Sequence, residues 1–342
     1  MHPYQTAPAI AFWSRAVSKG FDPRQACSRD GPMVRATDLL ASVGSCFAAN
    51  LVPYLGRAGL RYWRVEPPHP ALADTPAENP GYANFSAAYG NVYTARQLLE
   101  LLRRALGYLR PAEDRWYCDG SVIDPYRPGL RYPASGDAEF DLLTAQHLRA
   151  VREVFLQAAV FIFTLGLTEA WVSAVDGAVF PACPGTVAGR FDERRHRFVN
   201  FSVAEVAADL DAFVAELRRV NPTVRLIFTA SAAPLVATAT DGHVLAATVY
   251  SRSVLWVAAE EICQRHIDVS YFPAHEIVSG PQAPEAFYAA HRRNVTSARC
   301  ADRHGRLLSR LRDRSISRCG SGAYPSGVGR SSDVAVADHC RH

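Results

Sequence analysis

The stretch "ASVGSCFAAN" (residues 41–50) joins an apolar run to a second apolar run through Gly-Ser-Cys. The upstream part, "DLLASVGS" (38–45), is short and largely apolar and ends in Gly-Ser, which is typical of a strand that closes in a turn. The downstream part, "FAANLVPYLGRAGL" (47–60), has the apolar spacing of a helix. The sequence therefore predicts a strand, a turn and a helix, with Ser45 and Cys46 on the turn.

Three further apolar runs have the length of buried strands, and each follows a run with helical spacing. The predicted strands are "AVFIFTLG" (159–166), "VRLIFTAS" (224–231) and "IDVSYFP" (267–273). The predicted helices are "TAQHLRAVREVFLQ" (144–157), "SVAEVAADLDAFVAELRRV" (202–220), which opens on a Ser202–Glu205 capping box, and "SVLWVAAEEICQRH" (253–266). Apolar strands that alternate with helices indicate a parallel sheet covered on both faces, which predicts a three-layer α/β/α domain.

Two stretches interrupt this alternation of helices and strands. Residues 61–142 are rich in Pro, Tyr, Trp and Gly and carry a helical pattern at "TARQLLELLRRAL" (94–106). Residues 172–200 form a second loop-rich stretch, which includes "FPACPGTVAG". Because loops at the carboxyl ends of parallel strands commonly wall a binding cleft, we interpret both stretches as insertions that either line such a cleft or cover the domain.

The composition of the chain changes after residue 296. From Ser297 onward it is rich in Arg, Ser and Gly, carries three of the eight cysteines, and shows little hydrophobic periodicity beyond Leu311. Such a composition does not favour a packed core. The domain is therefore predicted to span residues 1–296. Residues 297–342 are interpreted either as a disordered tail or as an aberrant, out-of-frame reading of a GC-rich gene.

Composition limits the class of protein. Hydrophobic residues make up 49% of the 342 residues and charged residues 20%, which predicts a globular chain rather than a disordered one. No apolar run reaches the roughly 18 residues that a membrane-spanning helix needs. The first residues lack the pattern of a signal peptide. The sequence thus predicts a cytoplasmic protein without a membrane span.

Charge and cysteine spacing argue against several partners and cofactors. The net charge is +4, but the basic residues are scattered, which does not favour binding of nucleic acid. The eight cysteines show no C-x-x-C pair and no paired His/Cys spacing, so neither a zinc site nor a disulfide framework is indicated. Neither the G-x-G-x-x-G motif nor the P-loop motif of nucleotide-binding proteins occurs. We therefore expect no metal and no cofactor.

Four motifs occur in the order and rough spacing of a known family. They are "VGSCFAANL", "YGNVYTARQLLELL", "FTLGLTEAW" and "YFPAHEIVSGPQ". The chain resembles the GSCFA family, a bacterial group related to the SGNH/GDSL hydrolases, from "HPYQTAP" near the amino end to about Thr296. The resemblance implies a flavodoxin-like SGNH domain with its nucleophile on the turn after the first strand.

The reaction that the resemblance implies comes from the wider SGNH group, whose members mostly hydrolyse or transfer acyl groups at oxygen esters. We therefore expect an acyl esterase or acyltransferase acting on a small-molecule or carbohydrate ester, in a role such as envelope polysaccharide modification. The alternative is an inactive SGNH-like module that binds such a ligand without catalysis, because fold alone does not determine function.

Either residue of the turn qualifies as the nucleophile. Laying Gly44-Ser45-Cys46 on the G-D-S block of SGNH enzymes puts Cys46 in the place of the catalytic serine. A thiol at the start of a helix also gains from the helix dipole, which lowers its pKa toward the thiolate. If the turn is shifted by one residue, Ser45 takes the exposed position instead. A third interpretation is that the small turn merely lets the helix pack on the strand.

The resemblance also implies oxyanion donors in two other blocks. In "GLTE", Thr168 takes the place of the asparagine of SGNH enzymes, and Gly166 and Glu169 flank it. In "YGNVYTARQ", Gly90 and Asn91 are the candidates, and Asn91 would supply an amide N–H to the developing charge. Alternatively, Asn91 satisfies the backbone at the start of its own helix.

The general base is where the resemblance to SGNH enzymes fails. Those enzymes have a D-x-x-H block after the last strand, and here His291 takes the aspartate's place and Asn294 the histidine's. Two alternatives remain: His291 itself, or His275 in "YFPAHEIV", which follows a predicted strand and has Glu276 beside it.

Overall fold

The computed structural model describes residues 2–22, 25–26, 34–49, 52–66, 84–130 and 133–282, with the backbone alone for Cys46, Phe47, Tyr54 and Arg57. In these ranges the strands are β1 (Leu39–Val43), β2 (Arg61–Tyr62), β3 (Trp116–Cys118), β4 (Ser121–Ile123), β5 (Val160–Leu165), β6 (Glu169–Ser173), β7 (Val179–Phe180), β8 (His196–Asn200), β9 (Arg225–Ala230) and β10 (Val269–Tyr271). The helices are α1 (Trp13–Ala16), α2 (Cys46–Ala49), α3 (Val52–Arg57), α4 (Ala95–Ala105), α5 (Asp137–Gln157), α6 (Val203–Val220), α7 (Val244–Arg265) and α8 (Ala274–Ser279), preceded by 3₁₀ turns at Pro3–Gln5 and Ala9–Ala11.

The central sheet is parallel and has the strand order β2-β1-β5-β9-β10. Numbered along the chain, this is the order 2-1-3-4-5 of flavodoxin-like doubly wound sheets. The order reverses between β1 and β5, which pair from Leu40↔Val160 to Val43↔Phe163. In such sheets ligands bind beyond the carboxyl ends of the strands, at the point of reversal.

The two faces of the sheet are covered by different helices. One face, which includes Phe161, Phe163 and Phe228, packs in a large apolar cluster with α4, α5, α6 and α7. The other face, which includes Leu40 and Ile162, packs with α3 and α8. Burial of each large apolar side chain contributes roughly 1.5–3 kcal/mol, so the sheet is stabilised from both sides. The predicted three-layer α/β/α fold is confirmed.

The loop-rich stretches contribute two small antiparallel sheets beside this domain. β3 and β4 form a hairpin, and β6 pairs with β7 and β8. The helix expected near 94–106 is α4, whose Thr94 and Gln97 form a capping box. The Ser202–Glu205 capping box of α6 is confirmed. No helix in the described ranges is long and apolar enough to cross a membrane.

Some helix boundaries differ from the predictions. α7 begins at Val244, nine residues before the predicted start, because Leu245, Val249 and Tyr250 are apolar but exposed and so break the periodic pattern. The predicted helix over 47–60 is represented by the short helices α2 and α3, with residues 50–51 outside the described ranges.

Candidate active site

Gly44 follows β1 directly and connects it to α2. A Cβ atom at Gly44 would lie 2.8 Å from the Cβ of Ala48 and 2.9 Å from the Cβ of Thr164, closer than real side chains pack. The end of β1 is therefore pressed between α2 and β5. Only glycine fits this position without moving one of them.

Ser45 and Cys46 lie at the strand-to-helix junction, as predicted. The carbonyl of Ser45 accepts hydrogen bonds from the backbone N–H groups of Ala48 (2.8 Å) and Ala49 (3.2 Å), which starts α2. The side chain of Ser45 is buried, and its hydroxyl has no hydrogen-bond partner among the described residues. Cys46 is the first residue of α2, but its side chain lies outside the described part of the chain.

The loop before α4 bridges the ends of β1 and β5. The N–H of Val92 donates to the carbonyl of Gly44 (3.0 Å), and the carbonyl of Tyr93 accepts from the N–H of Gly166 (2.8 Å). A Cβ at Gly166 would lie 3.0 Å from Cδ1 of Tyr93, so this glycine also permits a close approach. The loop brings half-buried Asn91 next to the residue that bonds Gly44.

Gly90 and Asn91 do not belong to the helix cap. The N-cap of α4 is Thr94, whose hydroxyl accepts the N–H of Gln97 at 3.1 Å. Thr94, and not Asn91, therefore caps α4. Gly90 has φ +68°, a left-handed conformation that favours glycine, and a Cβ there would lie 3.3 Å from Cα of Arg127.

A buried ionic cluster is hydrogen-bonded to this loop. Glu66 accepts a hydrogen bond from the N–H of Ala88 (2.8 Å) and contacts Nδ1 of His147 (2.7 Å). Nη1 of Arg127 lies 3.5 Å from Oε1 of Glu66, and Nε of Arg127 lies 2.9 Å from Oδ2 of Asp124. Arg127 also donates a hydrogen bond to the carbonyl of Ala88. The cluster thus contacts the 84–93 loop through backbone and side chain alike, and sequence patterns gave no sign of it.

Burial lowers the pKa of His147, so its imidazole is neutral at pH 7 and donates Nδ1–H to the Glu66 carboxylate. The charge on Glu66 is balanced by Arg127, and the pKa of Glu66 stays below its ordinary value despite burial because of His147 and Arg127. His147 is therefore committed to the cluster.

Thr168 is not available as an oxyanion donor in this arrangement. It is fully buried, and its hydroxyl donates its one proton to Oδ1 of Asn200 at 2.6 Å. Its backbone N–H donates to the hydroxyl of Ser251 at 2.9 Å. Thr168 instead joins the end of β5 to β8 and α7. The sequence could not indicate these partners, because they lie 32 and 83 residues away.

Glu169 binds a neighbouring loop. Oε1 accepts the hydroxyl of Thr238 at 2.6 Å, and Oε2 accepts the N–H of Ala239 at 3.2 Å. These bonds fasten the segment between β9 and α7 to the first residue of β6. Both carboxylate oxygens are engaged, which makes Glu169 a positioning residue rather than a proton carrier.

His275 lies on α8, which follows β10, and β10 is the edge strand opposite to β2. Its Nδ1 is buried without a hydrogen-bond partner among the described residues, and burial together with nearby Arg252 lowers its pKa to about 4. Glu276 does not orient the imidazole, because its carboxylate accepts the hydroxyl of Tyr271 at 3.0 Å. β10, which precedes α8, is three strand spacings from β1, about 14 Å.

His275 lines a cavity of about 600 Å³ between α1, α7 and α8, with Trp13 and Trp256 on its walls. His291, the other predicted base, lies outside the described residues. Three more described histidines have partners of their own: Glu113 for His196, Asp211 for His266, and the N–H of Leu245 for His243.

Comparison with known proteins agrees with the motifs. The sequence model of the GSCFA family matches residues 39–302, more than half of the chain. This range contains the 44–46 turn, the loop before α4, the end of β5 and α8. No curated protein and no solved structure matches the chain.

Proposed function

Because this chain belongs to the GSCFA family, we propose that its Gly44-Ser45-Cys46 turn carries the nucleophile of an acyl esterase or acyltransferase that acts on ester-linked acyl groups. One observation carries this proposal. The turn follows β1 where the strand order reverses, and the loop with Asn91 is hydrogen-bonded to both Gly44 and Gly166. This is the place where doubly wound sheets bind their ligands.

Cys46 is the preferred nucleophile of the two. The side chain of Ser45 is buried, which shields its hydroxyl from an incoming ester. Cys46 is the next residue and the first of α2, where the N–H groups of a helix start favour the thiolate. A thiolate is also the stronger nucleophile at neutral pH.

In the proposed reaction, Sγ of Cys46 attacks the carbonyl carbon of the ester after its proton passes to a base. The tetrahedral oxyanion is stabilised by the amide of Asn91 and by backbone N–H groups at the start of α2, which lack acceptors within the helix. The alcohol leaves with a proton, and a thioester remains on Cys46. Water or an acceptor alcohol then attacks the thioester and regenerates the thiol.

The base of this reaction is His275 or His291. His275 is neutral at pH 7, but its pKa of about 4 makes it a weak base, and catalytic bases work best near the operating pH. His291 lies in the sequence block that holds the base in SGNH enzymes, but in the place of the aspartate. The resemblance to SGNH enzymes also supports an ester of a carbohydrate or another small alcohol as the substrate.

A second candidate function is a binding module that retains the turn and has lost the base. It is favoured by one observation: no described histidine is bonded to Ser45, whose hydroxyl has no partner among the described residues. The two functions differ in turnover, whereas ligand binding at the turn is common to both.

The test compares three variants on a panel of nitrophenyl and carbohydrate acyl esters. Cys46→Ala should lower turnover by roughly 10⁴- to 10⁶-fold, as loss of the nucleophile does in triad enzymes, and Ser45→Ala should lower it far less. Cys118→Ala, which removes a partly exposed thiol on β3, is the control and should leave turnover unchanged.

Equal turnover in Cys46→Ala and wild type would remove Cys46 from the reaction. If the wild-type protein turned over no ester on the panel but bound one, the binding-module function would replace the esterase.

A further inference from the structure

A second cavity, of about 230 Å³, lies at the carboxyl end of β5, next to the proposed active site. Tyr93 and Leu167 form one wall, Trp171 and Phe198 of the small antiparallel sheet form another, and Leu235 closes a third side. Tyr93 follows Val92, which bonds Gly44, and the Tyr93 carbonyl accepts the N–H groups of Gly166 and Leu167. The cavity and the 44–46 turn therefore share the same short loop.

The lining of this cavity suits an uncharged group. It contains no Lys, Arg or His, and its one carboxylate, Glu169, already accepts hydrogen bonds from Thr238 and Ala239. A charged ligand group placed here would lose its hydration without gaining a partner, which is costly. Aromatic and aliphatic side chains provide most of the remaining contacts.

The size of the cavity limits the ligand group further. An engineered protein cavity of roughly 150 Å³ lined by Leu, Ile and Phe holds one benzene molecule. A cavity of about 230 Å³ can therefore hold a somewhat larger group, such as an aromatic ring with a substituent or an acyl chain of roughly six to eight carbons. An acetyl group would leave most of it empty.

We infer that this cavity holds the apolar acyl chain of the ligand and makes the protein selective for medium-length or aromatic acyl groups over acetyl and charged ones. The identity of the group as an acyl chain rests on the proposed function. The apolar site itself rests on the lining and volume of the cavity. The segment from Leu235 to Ala239 forms one wall of the cavity and is held there by the hydrogen bond that Thr238 donates to Glu169.

Cys183 allows occupancy to be measured without turnover. It lines the cavity as a partly exposed free thiol, and burial raises the pKa of that thiol, so alkylation is followed in alkaline buffer. Cys118 is also free and partly exposed but does not line the cavity, which makes it an internal control. Mass spectrometry of the peptides gives both iodoacetamide rates in one sample.

Octanamide, a neutral amide with the predicted acyl chain, should slow alkylation of Cys183 at least about threefold at saturation and leave Cys118 unchanged. Acetamide and succinamate should slow neither thiol. The same result is expected in Cys46→Ala, because the cavity does not need the nucleophile. Absence of protection at Cys183, or equal slowing at Cys118, would overturn the inference.

A cavity-filling variant provides the second test. Ala237→Phe puts a ring on the cavity wall, and Val236→Phe, its matched control, changes a neighbour that is exposed like Ala237 but does not line the cavity. Ala237→Phe should abolish the octanamide protection and lower kcat/KM for an octanoyl ester about tenfold or more, while an acetyl ester changes less than about twofold. Unchanged protection in Ala237→Phe would contradict the inference.

The two proposals fail separately. Protection of Cys183 in a protein that turns over no ester would retain the acyl-chain site and count against the esterase. Ester turnover without octanamide protection would retain the esterase and overturn the acyl-chain site.

Discussion

Two histidines on different sides of the central sheet differ in how their ring nitrogens are bonded. Near β1 and β5, His147 donates to Glu66 in a cluster that also contains Arg127, and this cluster contacts the loop that closes on Gly44. Beyond β10, the Nδ1 of His275 has no hydrogen-bond partner among the described residues, and its neighbour Glu276 is bonded to Tyr271. The same residue type is therefore structural in one region and uncommitted in the other.

This difference separates residues that position the loop from a histidine that is free to exchange a proton. Each charged side chain of the ionic cluster has at least one hydrogen-bond partner, and the loop that the cluster contacts lies at the point where the strand order reverses. We therefore expect changes there to act mainly through stability and geometry. His275 contributes less to the surrounding hydrogen bonds, so its replacement should cost less and should act through its own protonation.

The largest effect is expected from breaking the ionic cluster. Glu66→Gln keeps the size of the side chain but replaces the carboxylate that accepts hydrogen bonds from Ala88, His147 and Arg127, so a buried acceptor of three donors is lost. The free energy of unfolding should fall by about 3–5 kcal/mol. Glu153→Gln, on the exposed side of the helix that carries His147, is the control and should change it by less than about 0.5 kcal/mol. Urea denaturation measures both, and equal losses would contradict the role of the cluster.

A smaller loss is expected at the turn. Gly44→Ala brings a Cβ within 2.9 Å of both Ala48 and Thr164, and such overpacking costs about 1–3 kcal/mol. Gly56→Ala is the matched control, because no atom lies within 4 Å of its Cβ position and alanine favours the helix, by up to about 1 kcal/mol. Gly44→Ala should also lower ester turnover, since the bond from Val92 must shift. A Gly44→Ala protein as stable as Gly56→Ala would show that the turn is loosely packed.

The effect expected from His275 is absent at neutral pH and appears only in acid. Its folded pKa of about 4 lies below the ordinary value near 6.5, so the unfolded chain binds a proton first as the pH falls. Wild-type stability should therefore decrease from about pH 6.5 down to pH 4, and His275→Gln should lose less over that range. His243→Asn, which keeps a capping side chain at the start of α7, is the control. An identical acid loss in His275→Gln and wild type would contradict the buried, neutral imidazole.

The central strands could be predicted from the sequence because both faces of the sheet are covered. The sequences of β5 and β9 are continuous apolar runs. In the structure, each end of these strands lies within one residue of the predicted boundary. β2 could not be predicted, since it has two residues and neither is buried. The early start of α7 was also missed, because its first turns expose apolar side chains.

The strand-to-helix junction that carries the candidate site could be predicted, whereas the side-chain contacts around it could not. Gly-Ser-Cys after an apolar run indicated the junction of β1 and α2, which the structure has. The engagement of Thr168 by Asn200, of Glu169 by Thr238, and of Glu66 by His147 joins residues 32, 69 and 81 positions apart. Local periodicity carries no information about such contacts. The roles of Cys46, His275 and His291 stay predictions, as does the interpretation of residues 297–342, which lie outside the described ranges.

The most direct test of the proposed nucleophile is to trap the acyl intermediate. Wild-type protein is mixed with excess nitrophenyl octanoate, quenched in acid during the first turnover, and analysed by intact mass and peptide mapping. We expect one acyl group per chain, carried by the peptide that contains Cys46, and no such adduct in Cys46→Ala. Ester turnover accompanied by an adduct on another residue, or by none at all in repeated early quenches, would contradict this expectation.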